Sequence, residues 1–358
     1  MRPLALASVV VATDLSPSSD VALQTGLQLA DAAGAALHVV HVYDLSTHAD
    51  DASSRVTLAR TVGDVLRRAG IPDGRAKAHV VAGDPAHAIN ALSETLEADV
   101  IVVGPHRGAR QGDRAHRMGG TARAIVAGAS APCLAAVQPL RLPLERVLVP
   151  VDLSDTARGA LLVGLSWASA LRSGAADERK TTLTALHVQG EQRAGASRPM
   201  PSLDDELATV RRSAGDWAGV GIEGVTTGAD TDVADAIARY TQERRADLVV
   251  LGSRGLGLDD VERLGSVSGL VVERSPTAVL LVPPSVWREH LNDVKREPRA
   301  GLQSQRGRQA RTVDDVLGQD VDETSEDSFP ASDAPAWTGL RIGRPSPNAE
   351  TTNPPPPA

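Results

Sequence analysis

Three glycines and a serine stand at spacings suited to holding a phosphate: Gly252, Gly255, Gly265 and Ser266, within ADLVVLGSRGLGLDDVERLGSVSGLVVE. An apolar run ends at Gly252 and a helical pattern starts near Ser266, so the segment joins a strand to a helix. Gly252 lets the backbone leave the strand with no side chain in the way. Gly255 can adopt positive φ, or let a phosphate approach the main chain closely. Gly265 and Ser266 bring N–H donors and a hydroxyl to a helix N-terminus, where aligned peptide dipoles favour an anion. A related stretch upstream, VVGPHRGARQGDRAHRMGGTARAIV, keeps Gly104 but has Arg107 where the second glycine should be, and its Gly120-Thr121 pair comes three residues late. A side chain at 107 could block a phosphate. The same loop carries Arg107, Arg110, Arg114, Arg117, His106 and His116 against Asp113 alone. Guanidinium groups there could replace lost main-chain donors, or the loop could simply be a solvated basic surface.

A carboxylate recurs in two related turns, T-D-L-S with Asp14 and Ser16, and V-D-L-S with Asp152 and Ser154. Beside a phosphate chain it would be repelled, so it belongs at a base or ribose end, accepting from an amino or hydroxyl group. Its alternative role is to tie the strand-to-helix turn together. Other chemistry is thinly represented. No G-x4-G-K-[ST] is present, which excludes a P-loop NTPase, and no G-x-G-x-x-G follows the first strand. The single Cys133 opens an apolar strand and reads as a buried structural thiol. One cysteine permits neither an internal disulfide nor a Cys-based zinc site. His41 and His187 hold equivalent strand places and read as core histidines, with no metal-ligand spacing around them. Trp167 and Trp217 fall in helical segments, as core or interface residues rather than stacking platforms.

These residues need a scaffold, and an internal repeat supplies it. Asp14 and Asp152 are 138 positions apart; LHVVHV and LTALHV, ADVIVVG and ADLVVLG, and SAPCLAAV and SPTAVLLV continue the match with small drifts, chiefly through a polar insertion at Arg172 to Lys180. A period near 140 residues is too long for a solenoid, so the domain is duplicated. Short Val/Leu runs (Val9–Thr13, Ala36–Val42, Asp99–Val103, Cys133–Val137, with Ala78–Val81 and Gly224–Thr227) read as buried strands. Helical stretches lie between them, the first opening at Ser16-Pro17 with Ser as N-cap and Pro at the first helical position. Seven aromatic residues (Trp 4, Tyr 2, Phe 1) among 358 force the cores to be built of Ala, Val, Leu and Ile, which suits parallel strands under Ala-rich helices. The expected fold is α/β: two doubly wound, five-stranded parallel sheets of order 3-2-1-4-5. Ligands in such sheets bind beyond the strand ends where the order reverses. That places the Asp152–Ser154 turn and the Gly252 loop on one crevice. The domains are expected at 5–140 and 143–284. Cys133–Val137 and Thr277–Val282 would be apolar edges, and pairing one with the other would give a pseudo-dimer within one chain.

Residues 285–358 lack apolar periodicity and separate their charge: Lys295 to Arg311 holds six basic residues and one acidic, and Asp314 to Asp327 seven acidic and none basic. They read as a disordered tail, with Phe329 and Trp337 either stray or part of a docking motif. The net charge of −8 argues against a nucleic-acid partner. No apolar run approaches the ~18 residues of a bilayer span, and no signal-peptide pattern opens the chain, so a soluble cytoplasmic protein is expected.

The V-D-x-S turn, the LHV strand and G-x2-G-x9-G-S before a closing SPTAVLLV strand resemble the universal stress protein family, over about residues 5 to 284 and in tandem. The resemblance implies five parallel strands per domain, ATP in the crevice, and domains paired through their last strands. It implies that Pro150, Val151, Asp152 and Val188 surround adenine. Leu251, Gly252, Arg254 and Gly255 would hold ribose and phosphate, and Gly265, Ser266, Val267 and Ser268 the phosphate tail. The corresponding first site would use Ala12, Thr13, Asp14, Val42, Val103, Gly104, Gly120 and Thr121. Three functions compete: an ATP-binding stress regulator, with Mg²⁺ present and no catalytic residue; an interaction scaffold without nucleotide; and a slow ATPase using Asp259, Asp260 or Glu262. A further homodimer is compatible with all three.

Overall fold

The computed structural model describes residues 6–44, 52–104, 118–172, 180–189, 202–214, 219–228, 232–254 and 264–286. Most of the expected insertion after Arg172, Trp217, and the tail with Phe329 and Trp337 lie outside the described residues.

The same chain path is followed twice. The first half runs β1 (Ser8–Ala12), α1 (Asp20–Ala33), β2 (Ala36–Tyr43), α2 (Ala52–Arg68), β3 (Ala76–Ala82), α3 (Pro85–Thr95), β4 (Val100–Val103), α4 (Gly120–Gly128) and β5 (Cys133–Ala135). The second runs β6 (Arg146–Pro150), α5 (Asp155–Ala170), β7 (Thr181–Gln189), α6 (Leu203–Ala214), β8 (Val220–Gly228), α7 (Val233–Arg244), β9 (Leu248–Gly252), α8 (Ser266–Arg274) and β10 (Ala278–Val282). Strands lie in the order β3-β2-β1-β4-β5-β10-β9-β6-β7-β8, so each half has the expected 3-2-1-4-5 arrangement. Within each half every pairing is parallel. The halves meet through their last strands, antiparallel, with Leu280 opposite Leu134 and Leu281 opposite Cys133. Two apolar edges that water would otherwise meet cover each other.

The repeated A-D before each fourth strand has a structural purpose. Asp99 Oδ2 accepts from the amides of Ala7 (2.7 Å) and Ser8 (2.9 Å), and Asp247 Oδ2 from those of Glu145 (3.0 Å) and Arg146 (2.8 Å). Each carboxylate thereby pins the start of the first strand of its half to the fourth. Val9, Val11, Leu37 and Val39 bury one face of the first half's sheet beneath α1 and α2, and this core continues through Leu134 and Leu280 to the strands below α5. Trp167 is fully buried there, as the helical reading expects. Cys133 is buried too, and burial pushes its thiol up to about 12, which keeps it protonated and inert.

One helix start differs from expectation. Ser16-Pro17 does not open α1: Pro17–Ser19 forms a single 3-10 turn, Ser16 caps nothing with its side chain, and α1 begins at Asp20. The Ser16 hydroxyl donates instead to Asp14 Oδ1 at 2.6 Å, which withdraws it from the helix. In the second half Ser154 does cap α5, accepting from the Ala157 amide.

His38 of β2 and His79 of β3 share a hydrogen bond, Nδ1 to Nε2 at 3.0 Å, with stacked rings. Burial, with His79 and Lys77 nearby, lowers His38 to about 4. A histidine held below its ordinary 6.5 takes its proton more readily when unfolded, so stability is lost as pH falls from about 6.5 towards about 4. The melting temperature is expected to drop over that interval, and His38→Leu to remove most of the slope. An identical slope in the variant would contradict this assignment.

Candidate functional site

The chain leaves β6 through a turn that the first half repeats after β1. Leu153 and Leu15 both take positive φ, 61° and 64°, so the turn is the same tight reversal in each half. Asp152 Oδ1 accepts from the Ser154 amide (3.1 Å) and hydroxyl, and Asp14 Oδ1 likewise from Ser16 (3.0 and 2.6 Å). The carboxylates therefore do tie the turns, while both residues also line a cavity. Burial opposes the charge on Asp14, but the Ser16 hydroxyl and amide and the Ser19 hydroxyl outweigh it and hold the carboxyl below its ordinary value.

His41 and His187 depart from the core reading. Both are only half-buried and line the cavities, with Nδ1 at 3.1 Å from the Thr13 carbonyl and at 2.9 Å from the Val151 carbonyl. A carbonyl can only accept, so Nδ1 carries the hydrogen in each ring. These bonds hold the end of the second strand to the turn after the first.

Opposite the turn lies the glycine segment. A Cβ on Gly252 would stand 2.5 Å from Thr156 Cγ2 and 3.0 Å from the Arg254 carbonyl, so glycine is needed there for the close approach of the α5 first turn. The Ser253 amide donates to the Val282 carbonyl (2.9 Å), and the Ser268 hydroxyl to the Gly252 carbonyl (2.8 Å). The Gly265 amide is not bare as expected: it donates to the Ser253 carbonyl at 2.9 Å and closes the turn. Among the described residues, donors without a partner begin one residue later. Gly265 caps α8 without any side-chain hydrogen bond, and the first intrahelical bond runs from the Gly269 amide to the Gly265 carbonyl. The amides of Ser266, Val267 and Ser268 therefore precede the helical ladder. Arg254 lines the cavity, but its Nη2 donates to the Ala127 carbonyl of the other half at 2.8 Å. Gly255, Asp259, Asp260 and Glu262 lie outside the described residues.

In the first half α4 starts the same way. Gly119 is the cap, without a side-chain bond, and the Arg123 amide reaches the Gly119 carbonyl at 3.0 Å. By this register Gly119 matches Gly265, so Gly120-Thr121 stands one place further along than a Gly-Ser alignment suggests. The basic residues 106–117 lie outside the described residues.

The first cavity, about 400 Å³, is lined by Ala12, Thr13, Asp14, Val42, Val103, Gly104, Gly120 and Thr121 among others. The second, about 690 Å³, gathers Pro150, Val151, Asp152, Val188, Leu251, Gly252, Arg254, Gly265, Ser266, Val267 and Ser268. Sequence reasoning missed the far wall, Pro85 and Ile89 of α3 and Val233 and Ile237 of α7. The signal for it was available: Asp84 and Asp232 are helix caps, accepting from the amides of His87 and Asp235, each directly before that wall. Among the described residues no group of three or more His, Cys, Asp or Glu could hold a metal ion, and no helix is long and apolar enough to cross a membrane.

No curated protein matches this sequence. Among solved structures, a universal stress protein from Archaeoglobus fulgidus DSM 4304 is similar with a TM-score of 0.56 and 22% identity, over 77% of this chain and 98% of that one. A functionally unknown protein from Pseudomonas aeruginosa PAO1 and a putative universal stress protein from Pseudomonas aeruginosa UCBPP-PA14 each give a TM-score of 0.50 at 15% identity. Both cover 82% of this chain, and 98% and 99% of their own. At such identities the likeness is one of fold. The sequence model of the universal stress protein family matches twice, over residues 7–136 and 143–283. A duplicated fold, two crevices built alike and two family matches agree: the chain belongs to the universal stress protein family.

Proposed function

We propose that the second cavity binds ATP and that the protein works in the cytoplasm as a nucleotide-dependent stress regulator, not as an enzyme. The observation that carries this reading is the start of α8, whose Ser266, Val267 and Ser268 amides precede the helical ladder, have no partner among the described residues, and belong to residues that line the second cavity. An anion placed there meets bare N–H groups and the positive end of the helix dipole. The triphosphate belongs at that end, and Mg²⁺ would offset part of its charge. Asp152, at the turn across the crevice, suits the other end, where an amino or hydroxyl group can donate to its carboxylate. Pro150, Val151 and Val188 would flank the base. The first cavity is bordered by a glycine-capped helix start of the same kind and takes the same class of ligand in this reading. No residue is assigned a catalytic role. An interaction scaffold is the second reading, favoured by the Gly265 amide and the Arg254 guanidinium already holding protein carbonyls.

Calorimetric titration of the full chain with ATP and Mg²⁺ separates the two. Saturable binding, weaker for adenosine by the contribution of the phosphates, is expected. No heat, together with no rise in melting temperature at millimolar ATP, would leave the scaffold.

A further inference from the structure

Both candidate anion-binding helices are held at their far ends by an arginine rooted in the other half of the chain. The last carbonyls of an α-helix have no partner in the helix and must find one elsewhere. In α8 the Ser275 amide turns back to the Val271 carbonyl at 2.7 Å. At the end of α4 the chain continues extended at Ala129, and no cap amide closes the last turn. Side chains take that place: Asn90 donates to the Ile125 carbonyl at 3.2 Å, and Arg254 Nη2 to the Ala127 carbonyl at 2.8 Å. Arg254 thus lines the second cavity and caps the helix whose first residues line the first. A guanidinium suits that position twice over, as a donor to free carbonyls and as a cation at the negative end of the dipole.

A second link runs the other way. Arg123 of α4 pairs through Nη2 with Glu273 in the last turn of α8, while its Nε donates to the Met118 carbonyl at 3.3 Å. Met118 directly precedes Gly119 and Gly120, which border the first cavity.

We propose that the two cavities are negatively coupled through these arginines: an anionic nucleotide in the second cavity draws Arg254 from Ala127 and loosens α4. The inference rests on the nucleotide reading of the cavities. Arg254 is the one Lys or Arg side chain among the described lining residues of the second cavity. A phosphate adds the attraction of a full negative charge, and a bidentate geometry, to what a guanidinium gains from a neutral carbonyl. The competition is therefore unequal, and α4 loses the Arg254 part of its cap when the ligand wins, keeping only Asn90 on the Ile125 carbonyl. Its anion-binding N-terminus is then less rigidly presented, and the first cavity binds more weakly. Coupling between binding equilibria is reciprocal. A ligand at Gly119 to Thr121 accordingly disturbs the Met118 turn, and with it the hold of Arg123 on α8.

Hydrogen exchange of the full chain, read by mass spectrometry with ATP and Mg²⁺ as probe, tests this. Thr121→Asp puts a carboxylate at the first anion position, so that ATP enters the second cavity alone. Saturating ATP is then expected to slow exchange at residues 266–269 and to speed it in the last turn of α4 by about fivefold, the low end of coupling between sites. Adding Arg254→Leu should make that turn fast without ligand and unresponsive to it. In the reciprocal variant, Ser266→Asp, ATP in the first cavity should speed exchange around Glu273, and Arg123→Gln should abolish that response. Protection at α8 with no change at α4 overturns the coupling and leaves nucleotide binding standing. Transmission to α4 that survives Arg254→Leu overturns the role of that arginine. Silence at both helices overturns the coupling and the nucleotide reading together.

Discussion

Ser266→Asp is expected to weaken ATP binding in the second cavity by about 10- to 100-fold without unfolding the protein, the range that ~1.4 to ~2.7 kcal/mol of charge repulsion gives near a protein surface. Ser266 is exposed at the first position of α8 and makes no capping bond to any of the described residues. A carboxylate there sits at the positive end of the helix dipole and adds about 0.3–1 kcal/mol of stability. It occupies the place proposed for a phosphate. The variant therefore separates two quantities that most substitutions confuse, with the melting temperature steady or raised while affinity falls. A titration in which the variant binds ATP as tightly as the wild type would remove the phosphate from α8. A lowered melting temperature would instead show that Ser266 has a structural task.

The largest effect on stability is expected at the junction of the two halves. Leu134 of β5 and Leu280 of β10 face each other across the antiparallel pairing, and both are fully buried in the core that joins the halves. Leu134→Ala leaves a cavity at the seam of the one ten-stranded sheet, which cannot close without moving one half against the other, and such truncations cost about 2–5 kcal/mol. The same loss should follow from Leu280→Ala. The distinguishing outcome is cooperativity. Because one core spans the junction, denaturant unfolding is expected as a single transition in the wild type, with the midpoint lowered in the variant. Two well-separated transitions in the wild type, only one of them moved by Leu134→Ala, would mean that the halves are energetically independent.

The sheet was legible because its signals are local and doubled. Runs such as Val100–Val103 and Leu248–Gly252 are too apolar and too short for anything but buried strands, and finding each twice removed the ambiguity of a single reading. The 3-2-1-4-5 order came with the doubly wound class rather than from any residue, while apolar edges that required covering gave the pairing of the halves. The start of α1 was not legible, because Ser16 has two partners to choose from and its hydroxyl goes to Asp14. The crevice was legible where the chain turns and obscure where it is walled. Nearly every expected residue lies on one of the two cavities, yet His41 and His187 looked like core residues because a strand pattern does not reveal where the sheet ends. The Gly265 amide looked free because spacing counts donors and cannot see which of them the Ser253 carbonyl will take. The link from Arg254 to Ala127 joins residues 127 positions apart in different halves, which no periodicity encodes.

The most direct measurement is an amide NMR titration of the full chain with ATP and Mg²⁺, following Ser266, Val267 and Ser268. Saturable downfield shifts at these three amides, with a smaller response at Gly265 because its hydrogen is already shared with Ser253, are predicted. Saturation elsewhere on the protein with these three resonances unmoved would contradict a phosphate site at the start of α8.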